Sequence, residues 1–259
     1  MALFRHEASG YESPRAGTSQ GIFFKNFLPC LIRAHFVAFP GWQLWIHHDD
    51  RVMEWEYFKV YEKLCERRLI KLIPMGKAET LCGSMLWRMR PTFYPQVEFF
   101  ISRDVDSLPM HRDRLMVEEA IQAGAALHAI LDSESHSGPL MGGMTGYRPS
   151  ALRDAFPQVK SLPDFMVLAP DINFNRHGSD QEFLNSVVWP RLFQSAMIHQ
   201  RRRDIQYSQA MRTRPVYPRV TALDKVIRHI GAGYPVEEAR AVLDAIEYPE
   251  KSIIEECEA

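Results

Sequence analysis

The chain has 259 residues, 46% of them hydrophobic and 24% charged, so it is long enough to bury the core of one sizeable domain. Its net charge of −1 excludes a general attraction to nucleic acid or anionic membranes, and the basic run 201–203 is expected to be a solvated helix face.

No uninterrupted apolar run approaches the ~18 residues that span a bilayer, and the first residues lack the apolar core of a signal peptide. The cysteines at 30, 65, 82 and 257 have no C-x-x-C spacing, which indicates unpaired thiols in a reducing compartment. We therefore expect a soluble, cytoplasmic protein without a membrane span.

Strands and helices alternate along the first half of the chain. The predicted elements are a strand at 2–5, a loop at 9–20, a helix at 22–38 that Pro29 kinks or delimits, a strand at 42–47, a helix at 53–66, a strand at 69–74, a helix or turn at 83–90, a strand at 97–102 and a helix at about 111–124. This alternation predicts an α/β fold with a mostly parallel sheet. Such sheets bind ligands beyond the carboxyl ends of their strands.

The last part of the chain differs in pattern. Residues 220–230 and 236–246 are amphipathic at helical spacing, Gly231-Ala232-Gly233 separates them, and Pro235 is placed to begin the second helix. We expect a main domain at 1–214 and a C-terminal helical hairpin within 215–259. The hairpin is either a packing brace, an acceptor-side cap or a partner surface.

Two carboxylates, Asp104 and Asp106, follow the predicted strand at 97–102. In an extended segment, side chains two residues apart point to the same side, so both could face one ligand. Like charges held together need a cation or a proton, and oxygen ligands of this kind suit Mg²⁺ or Mn²⁺ bound to phosphate oxygens. This D-x-D therefore predicts a metal-bound diphosphate at the carboxyl edge of the sheet, although such a motif alone also occurs as loop caps and surface charges.

Five blocks of sequence between about 22 and 200 resemble, in the same order, those of a group of small GT-A-type glycosyltransferases from bacteria, phages and large viruses. They are Phe39-Pro-Gly-Trp42 with Ile46-His-His-Asp49, Met85-Leu-Trp-Arg88, Ile101-Ser-Arg-Asp-Val-Asp-Ser107, His128 with His136 and Pro139-Leu-Met-Gly-Gly-Met-Thr-Gly146, and Asp180-Gln-Glu-Phe-Leu184 with Trp189-Pro190 and His199. The corresponding blocks of the group are PGW…Y-x-D, WR, SRDxDS, H-x-x-R-D-x-x-x-H-x-x-P-I-x-G-G-M-W-G and DQ-x-F-L…WP…H. Three positions depart from the group, with Leu131 for an arginine, Thr145 for a tryptophan and Gln200 for an aspartate.

The resemblance implies a GT-A fold, a nucleotide-diphosphate-sugar transferase with a Rossmann-like sheet. It implies an enzyme that transfers a sugar from a nucleotide-sugar donor, UDP-linked by default, to a glycan or another hydroxyl acceptor. Mn²⁺ or Mg²⁺ would be held by Asp104, by Asp106 as the more direct ligand, and by His199 as a third ligand. If the source is viral, the implied location is the host cytoplasm.

The other implied residues each keep a structural alternative. Arg88 suits the diphosphate because its guanidinium is a planar fork of donors. Arg103 would contact the donor, pair with Asp104, or only brace the loop. Gly142 and Gly143 would lie beneath the donor sugar or form a plain tight turn.

Two more side chains would act on the sugar or the acceptor. His136 would hydrogen-bond a hydroxyl, or serve the structure alone. Asp180 would deprotonate the acceptor, or cap the helix that it begins. Two other functions stay open for the whole chain. One is a nucleotidyltransferase, for which a Gly-rich phosphate loop is missing, and the other is an inactive GT-A module that binds a glycan or nucleotide.

Overall fold

The computed structural model describes residues 2–3, 20–134, 136, 138–201, 212–226, 229–230 and 233–258. Within them the chain is a mixed α/β protein with two sheets flanked by helices. No helix in these ranges is both long and apolar enough to cross a membrane. Cys30, Cys65 and Cys257 are free thiols. The predicted loop at 9–20 lies outside the described residues except for its last position.

The first sheet is parallel throughout, in the order β1 (Ala2–Leu3), β2 (Leu44–His48), β3 (Ile70–Pro74). Helix α1 (Gln20–Ala38) precedes β2 and continues through Pro29, so this proline does not delimit it. The α1 helix is followed by a turn in which Gly41 takes a positive φ of 82°. Helix α2 (Phe58–Glu66) connects β2 to β3 and is shorter than predicted, since Asp50–Glu54 forms a separate 3₁₀ turn.

The second sheet has the order β4 (Phe100–Arg103), β6 (Met144–Tyr147), β5 (Leu127–Leu131), β7 (Ala196–Gln200), β8 (Arg212–Pro215). Among these strands β6 alone is antiparallel to its neighbours. The carboxyl ends of β4, β5 and β7 therefore share one edge with the amino end of β6. This arrangement confirms a mixed, mostly parallel sheet.

Helices pack around the second sheet, and all of those named here except α4 contribute residues to the largest hydrophobic cluster. They are α3 (Leu81–Met85), α4 (His111–Gln122), α5 (Pro149–Ala155), α6 (Leu162–Val167), α7 (Ser179–Phe183) and α8 (Trp189–Leu192). Leu86–Phe93 is a 3₁₀ segment and Leu184–Val188 a π-helical turn. Trp87 packs inside the cluster with Phe165 and Phe183.

In the described part of the C-terminal segment, the two predicted helices are α9 (Ala222–Val226) and α10 (Val236–Asp244), which contact each other. A further helix that was not predicted, α11 (Lys251–Glu258), follows them. Helix α10 packs on α1, and α11 packs on α2. The Tyr234 hydroxyl donates to the Phe27 carbonyl at 2.7 Å, which fixes the start of α10 against α1. Side chains of α9 and α10 thus share a hydrophobic cluster with α1 and with Ile130 of β5.

Candidate functional site

The D-x-D segment lies at the carboxyl end of β4, as predicted, but it turns instead of staying extended. The Ser107 N–H donates to the Asp104 carbonyl at 3.1 Å, which closes a turn over residues 104–107. Val105 is buried between the two aspartates and packs with residues of α1 and α2. The expectation that Asp104 and Asp106 share one face of an extended segment is therefore wrong. Asp106 instead acts electrostatically on Tyr234 of the C-terminal segment.

Asp104 lies against the backbone of Gly143. In the β4–β6 ladder Arg103 is opposite Met144, and continuing this antiparallel register places Asp104 opposite Gly143. A Cβ on Gly143 would come within 2.0 Å of Asp104 Oδ2, so glycine leaves the space that the carboxylate fills. The side chain of Asp104 is 42% exposed and can reach a ligand at this edge.

Arg88 and Asp180 meet at the neighbouring glycine. A Cβ on Gly142 would lie 2.9 Å from Arg88 Nη1 and 3.0 Å from Asp180 Oδ2. The other terminal nitrogen of Arg88, Nη2, pairs with Asp104 Oδ1 at 3.1 Å. The structure therefore brings together Arg88, Asp104 and Asp180 around the Gly142-Gly143 step.

Asp180 is only 6% exposed, at the start of α7. Burial raises its pKa above the ordinary value of an aspartate, the charge of Arg88 opposes this rise, and the negative charge of Asp104 adds to it. A carboxylate that holds its proton more tightly than usual is a stronger base, and a hydroxyl placed next to it could lose its proton there.

Arg103 is bound in a buried structural pair. Its Nε and Nη2 donate to the two carboxylate oxygens of Asp113 on α4, at 2.8 and 2.5 Å, and its Nη1 donates to the Ser102 carbonyl at 2.6 Å. It therefore braces β4 against α4, and Arg88 takes the place beside Asp104 that had been considered for Arg103.

His199 lies in the interior of the second sheet, on β7, and both of its ring nitrogens have partners. Nδ1 is 2.9 Å from His128 Nε2, and Nε2 is 2.9 Å from Glu119 Oε2 on α4. Burial lowers the pKa of His199, so the neutral ring donates from Nε2 to Glu119 and accepts at Nδ1. Strands β6 and β5 separate β7 from β4, and the structure does not bring His199 to Asp104 and Asp106.

His136 lies close to the C-terminal segment. Its ring packs edge-on to His229 with centroids 5.2 Å apart, and its Nδ1 accepts from the Ser133 N–H at 3.2 Å. Burial and the nearby charge of His229 lower its pKa to about 4, so it is neutral at pH 7. Next to it, Asp132 accepts from the Ile230 N–H at 2.8 Å and pairs with buried Arg112.

A divalent cation fits this edge of the sheet only if it is shared with a diphosphate. The described residues contain no group of three or more His, Cys, Asp or Glu side chains arranged for a metal ion. Mg²⁺, however, is commonly held by one or two carboxylates together with phosphate oxygens and water. The partly exposed Asp104 can supply such a carboxylate, and Asp106 lies two residues further along the same turn.

A cavity of about 490 Å³ opens between α1, β2 and β4. Trp42 and Trp45 line one part of it, and Arg88, Arg103 and Arg148 also reach it. Arg88 thus contacts both this cavity and the Gly142-Gly143 step.

Two side chains that organise the site could not be identified from sequence patterns. Asp113 occupies an ordinary helical position, yet it holds Arg103. Asn185 follows the Asp180 block, and its amide binds the loop before Gly142. No protein-family model matches the sequence, and no curated protein shows significant similarity to it.

Proposed function

We propose that the protein is a metal-dependent glycosyltransferase of the GT-A type. It would transfer a sugar from a nucleoside-diphosphate sugar, UDP-linked by default, to a hydroxyl of a glycan or another acceptor in the cytoplasm. One observation carries the proposal: Arg88, Asp104 and Asp180 come from three separate blocks of the resemblance and meet at the glycines of a fourth. A mostly parallel sheet with the D-x-D beyond the end of β4 suits this fold.

The donor diphosphate is proposed to bind between Arg88 and Asp104. Nη1 of Arg88 lies on the side of Gly142, while Nη2 pairs with Asp104. The planar guanidinium is suited to phosphate oxygens. Asp104, with Asp106 from the same turn, would hold Mn²⁺ or Mg²⁺ against the diphosphate. The cation would stabilise the negative charge that develops on the departing nucleoside diphosphate.

Asp180 is proposed to be the general base. Its Oδ2 lies 3.0 Å from the position of a Cβ on Gly142, and Arg88 Nη1 lies 2.9 Å from the same point. An acceptor hydroxyl bound at Asp180 would therefore be close to a donor held by Arg88. Its raised pKa favours proton uptake. Gly142 and Gly143 are proposed to lie beneath the donor sugar, where the lack of side chains leaves room for Arg88, Asp180 and Asp104 beside the backbone.

The acceptor side is proposed to lie toward the C-terminal segment. His136, neutral at pH 7, and Asp106 both face residues of this segment. A neutral imidazole can donate to or accept from a sugar hydroxyl. His199 is left out of the proposed metal site because both of its ring nitrogens are already hydrogen-bonded.

The test is thermal unfolding of the protein with UDP, GDP, CDP and dTDP, each with and without Mn²⁺. We expect one nucleotide to stabilise the protein only when the metal is present. The variant Asp104→Asn should lose this shift, and Asp154→Asn, at an exposed position of α5, should keep it. A wild-type protein that no nucleotide stabilises with Mn²⁺ or Mg²⁺ would sink the proposal.

The products released in an activity assay distinguish a glycosyltransferase from a nucleotidyltransferase and from an inactive binding module. A glycosyltransferase releases the nucleoside diphosphate from its sugar nucleotide in the presence of an acceptor. A nucleotidyltransferase would instead release pyrophosphate from a nucleoside triphosphate, and an inactive module would bind the sugar nucleotide without consuming it.

A further inference from the structure

Asn185 connects two segments of the site through its side-chain amide. Its Oδ1 accepts from the Leu140 N–H at 3.0 Å, and its Nδ2 donates to the Leu140 carbonyl at 2.9 Å. Nδ2 also donates to the carbonyl of Gln181 at 2.8 Å. Leu140 lies two residues before Gly142, and Gln181 directly follows Asp180. One amide therefore joins the glycine loop to the helix of the proposed base.

The three hydrogen bonds define the orientation of this amide. In the reversed orientation the NH₂ group would face the N–H of Leu140, and the oxygen would face two carbonyl oxygens. The amide also packs closely against the loop at Gly138, since a Cβ on Gly138 would lie 3.2 Å from Asn185 Nδ2. Asn185 lies in the π-helical turn Leu184–Val188, a local distortion that is frequent at functional sites.

We infer that Asn185 is a positioning residue that fixes Gly142-Gly143 relative to Asp180. The inference deepens the proposed function and rests on it. Asn185 lies on the side of the loop and the base, whereas the proposed diphosphate ligands, Arg88 and Asp104, come from other elements. Its loss should therefore impair the transfer step far more than it weakens nucleotide binding.

The decisive variant is Asn185→Asp. It keeps the size of the side chain but replaces both donor bonds by an oxygen that faces the carbonyls of Leu140 and Gln181. Asn175→Asp makes the same change in charge at an exposed position and is the matched control. Asn185→Ala is the second variant, because it removes all three bonds without adding charge and so tests the inference even if the aspartate prevents folding.

We expect kcat for sugar transfer to fall on the order of 10²-fold in the Asn185 variants, as a small displacement of reacting groups can produce. The Kd for UDP with Mn²⁺ should stay within about twofold of the wild type, because Arg88 and Asp104 are untouched. An unchanged kcat would overturn the inference. Equal losses in kcat and UDP affinity would also overturn it, because they indicate general damage to the fold.

Hydrogen exchange of the Leu140 amide gives a measurement that needs no substrate. Its protection should fall in Asn185→Ala, which removes the oxygen that accepts from the Leu140 N–H, and persist in Asn175→Asp. Unchanged protection in Asn185→Ala would refute the positioning role. If the wild type neither binds nor uses a nucleotide sugar, the proposed function fails, while the exchange of Leu140 still decides whether Asn185 holds the loop.

Discussion

The carboxylate of Asp104 occupies the space that a side chain on Gly143 would fill, with Oδ2 only 2.0 Å from the position of a Cβ there. The contact involves the free end of the Asp104 side chain, which can rotate away. Because this movement breaks the pair with buried Arg88, we expect Gly143→Ala to lower the free energy of unfolding by about 1–3 kcal/mol, while the displaced carboxylate abolishes metal-dependent stabilisation by the nucleotide. Urea denaturation and thermal shift with UDP and Mn²⁺ measure the two effects, and a full ligand-induced shift in the variant would contradict the prediction.

Asp180→Asn should remove the proposed base without changing the shape of the site. We expect kcat to fall about 10²–10⁴-fold, the range typical of general-base catalysis, while binding of UDP and Mn²⁺ persists. Because burial raises the pKa of Asp180, the acid limb of the kcat/KM profile should lie above the ordinary pKa of an aspartate, 3.8. Steady-state kinetics between pH 4 and 8 tests this, and an acid limb at or below 3.8 would remove Asp180 from the role.

Asp113→Ala should destabilise the protein rather than alter its ligand specificity. It leaves the guanidinium of Arg103 buried without its carboxylate partner, and breaking a buried pair in this way costs about 3–5 kcal/mol. The control Arg114→Ala removes a partly exposed pair with Glu118 on the same helix and should cost less than about 1 kcal/mol. Urea denaturation compares them, and similar losses in both variants would argue against the brace.

Acid should destabilise the fold before its carboxylates titrate. Burial lowers the pKa of His35 from 6.5 to about 4, so below pH 6.5 the unfolded chain takes up a proton that the folded chain refuses. The contribution of neutral His35 to the free energy of unfolding is therefore fully present above pH 6.5 and is lost as the pH falls toward 4. At pH 5 this histidine alone should cost about 2 kcal/mol.

His35→Gln tests this origin, because its amide can still donate to the Trp42 carbonyl that His35 contacts at 2.8 Å. The variant should lose less stability than the wild type between pH 7 and pH 5. Between pH 7 and 8 the two proteins should show equal slopes. Parallel curves across the acid range would show that His35 does not carry the effect.

Local patterns were enough to predict most of the first half of the fold. Strands β2 and β3 and helices α1 and α4 fall close to their predicted positions, because their hydrophobic residues repeat with the period of the element. Helix α11 was missed. Strand β6 has only four residues, and its direction depends on pairing with partners far away in sequence.

The site was predictable in part for a similar reason. Asp104 follows the end of β4 and Asp180 lies at the start of α7, and sequence patterns can identify such positions. The partner of Arg103 could not be predicted, since its choice of Asp113 over Asp104 depends on how α4 packs beneath β4. The turn at 104–107 was also hidden, because it depends on the burial of Val105 against distant helices.

The register of β6 against β4 depends on the number of residues in the loop between β5 and β6, so the site is sensitive to the length of this loop. Side chains in a strand alternate between faces, so a shift of β6 by one residue would place Met144 where Gly143 now admits Asp104. A single-residue deletion between 138 and 143 would thus fill the site with a methionine, whereas an insertion would shift Met144 in the opposite direction. The turn at Gly124 lies before the amino end of β5. A change in the length of this turn would leave the pairing of Asp104 with Gly143 intact.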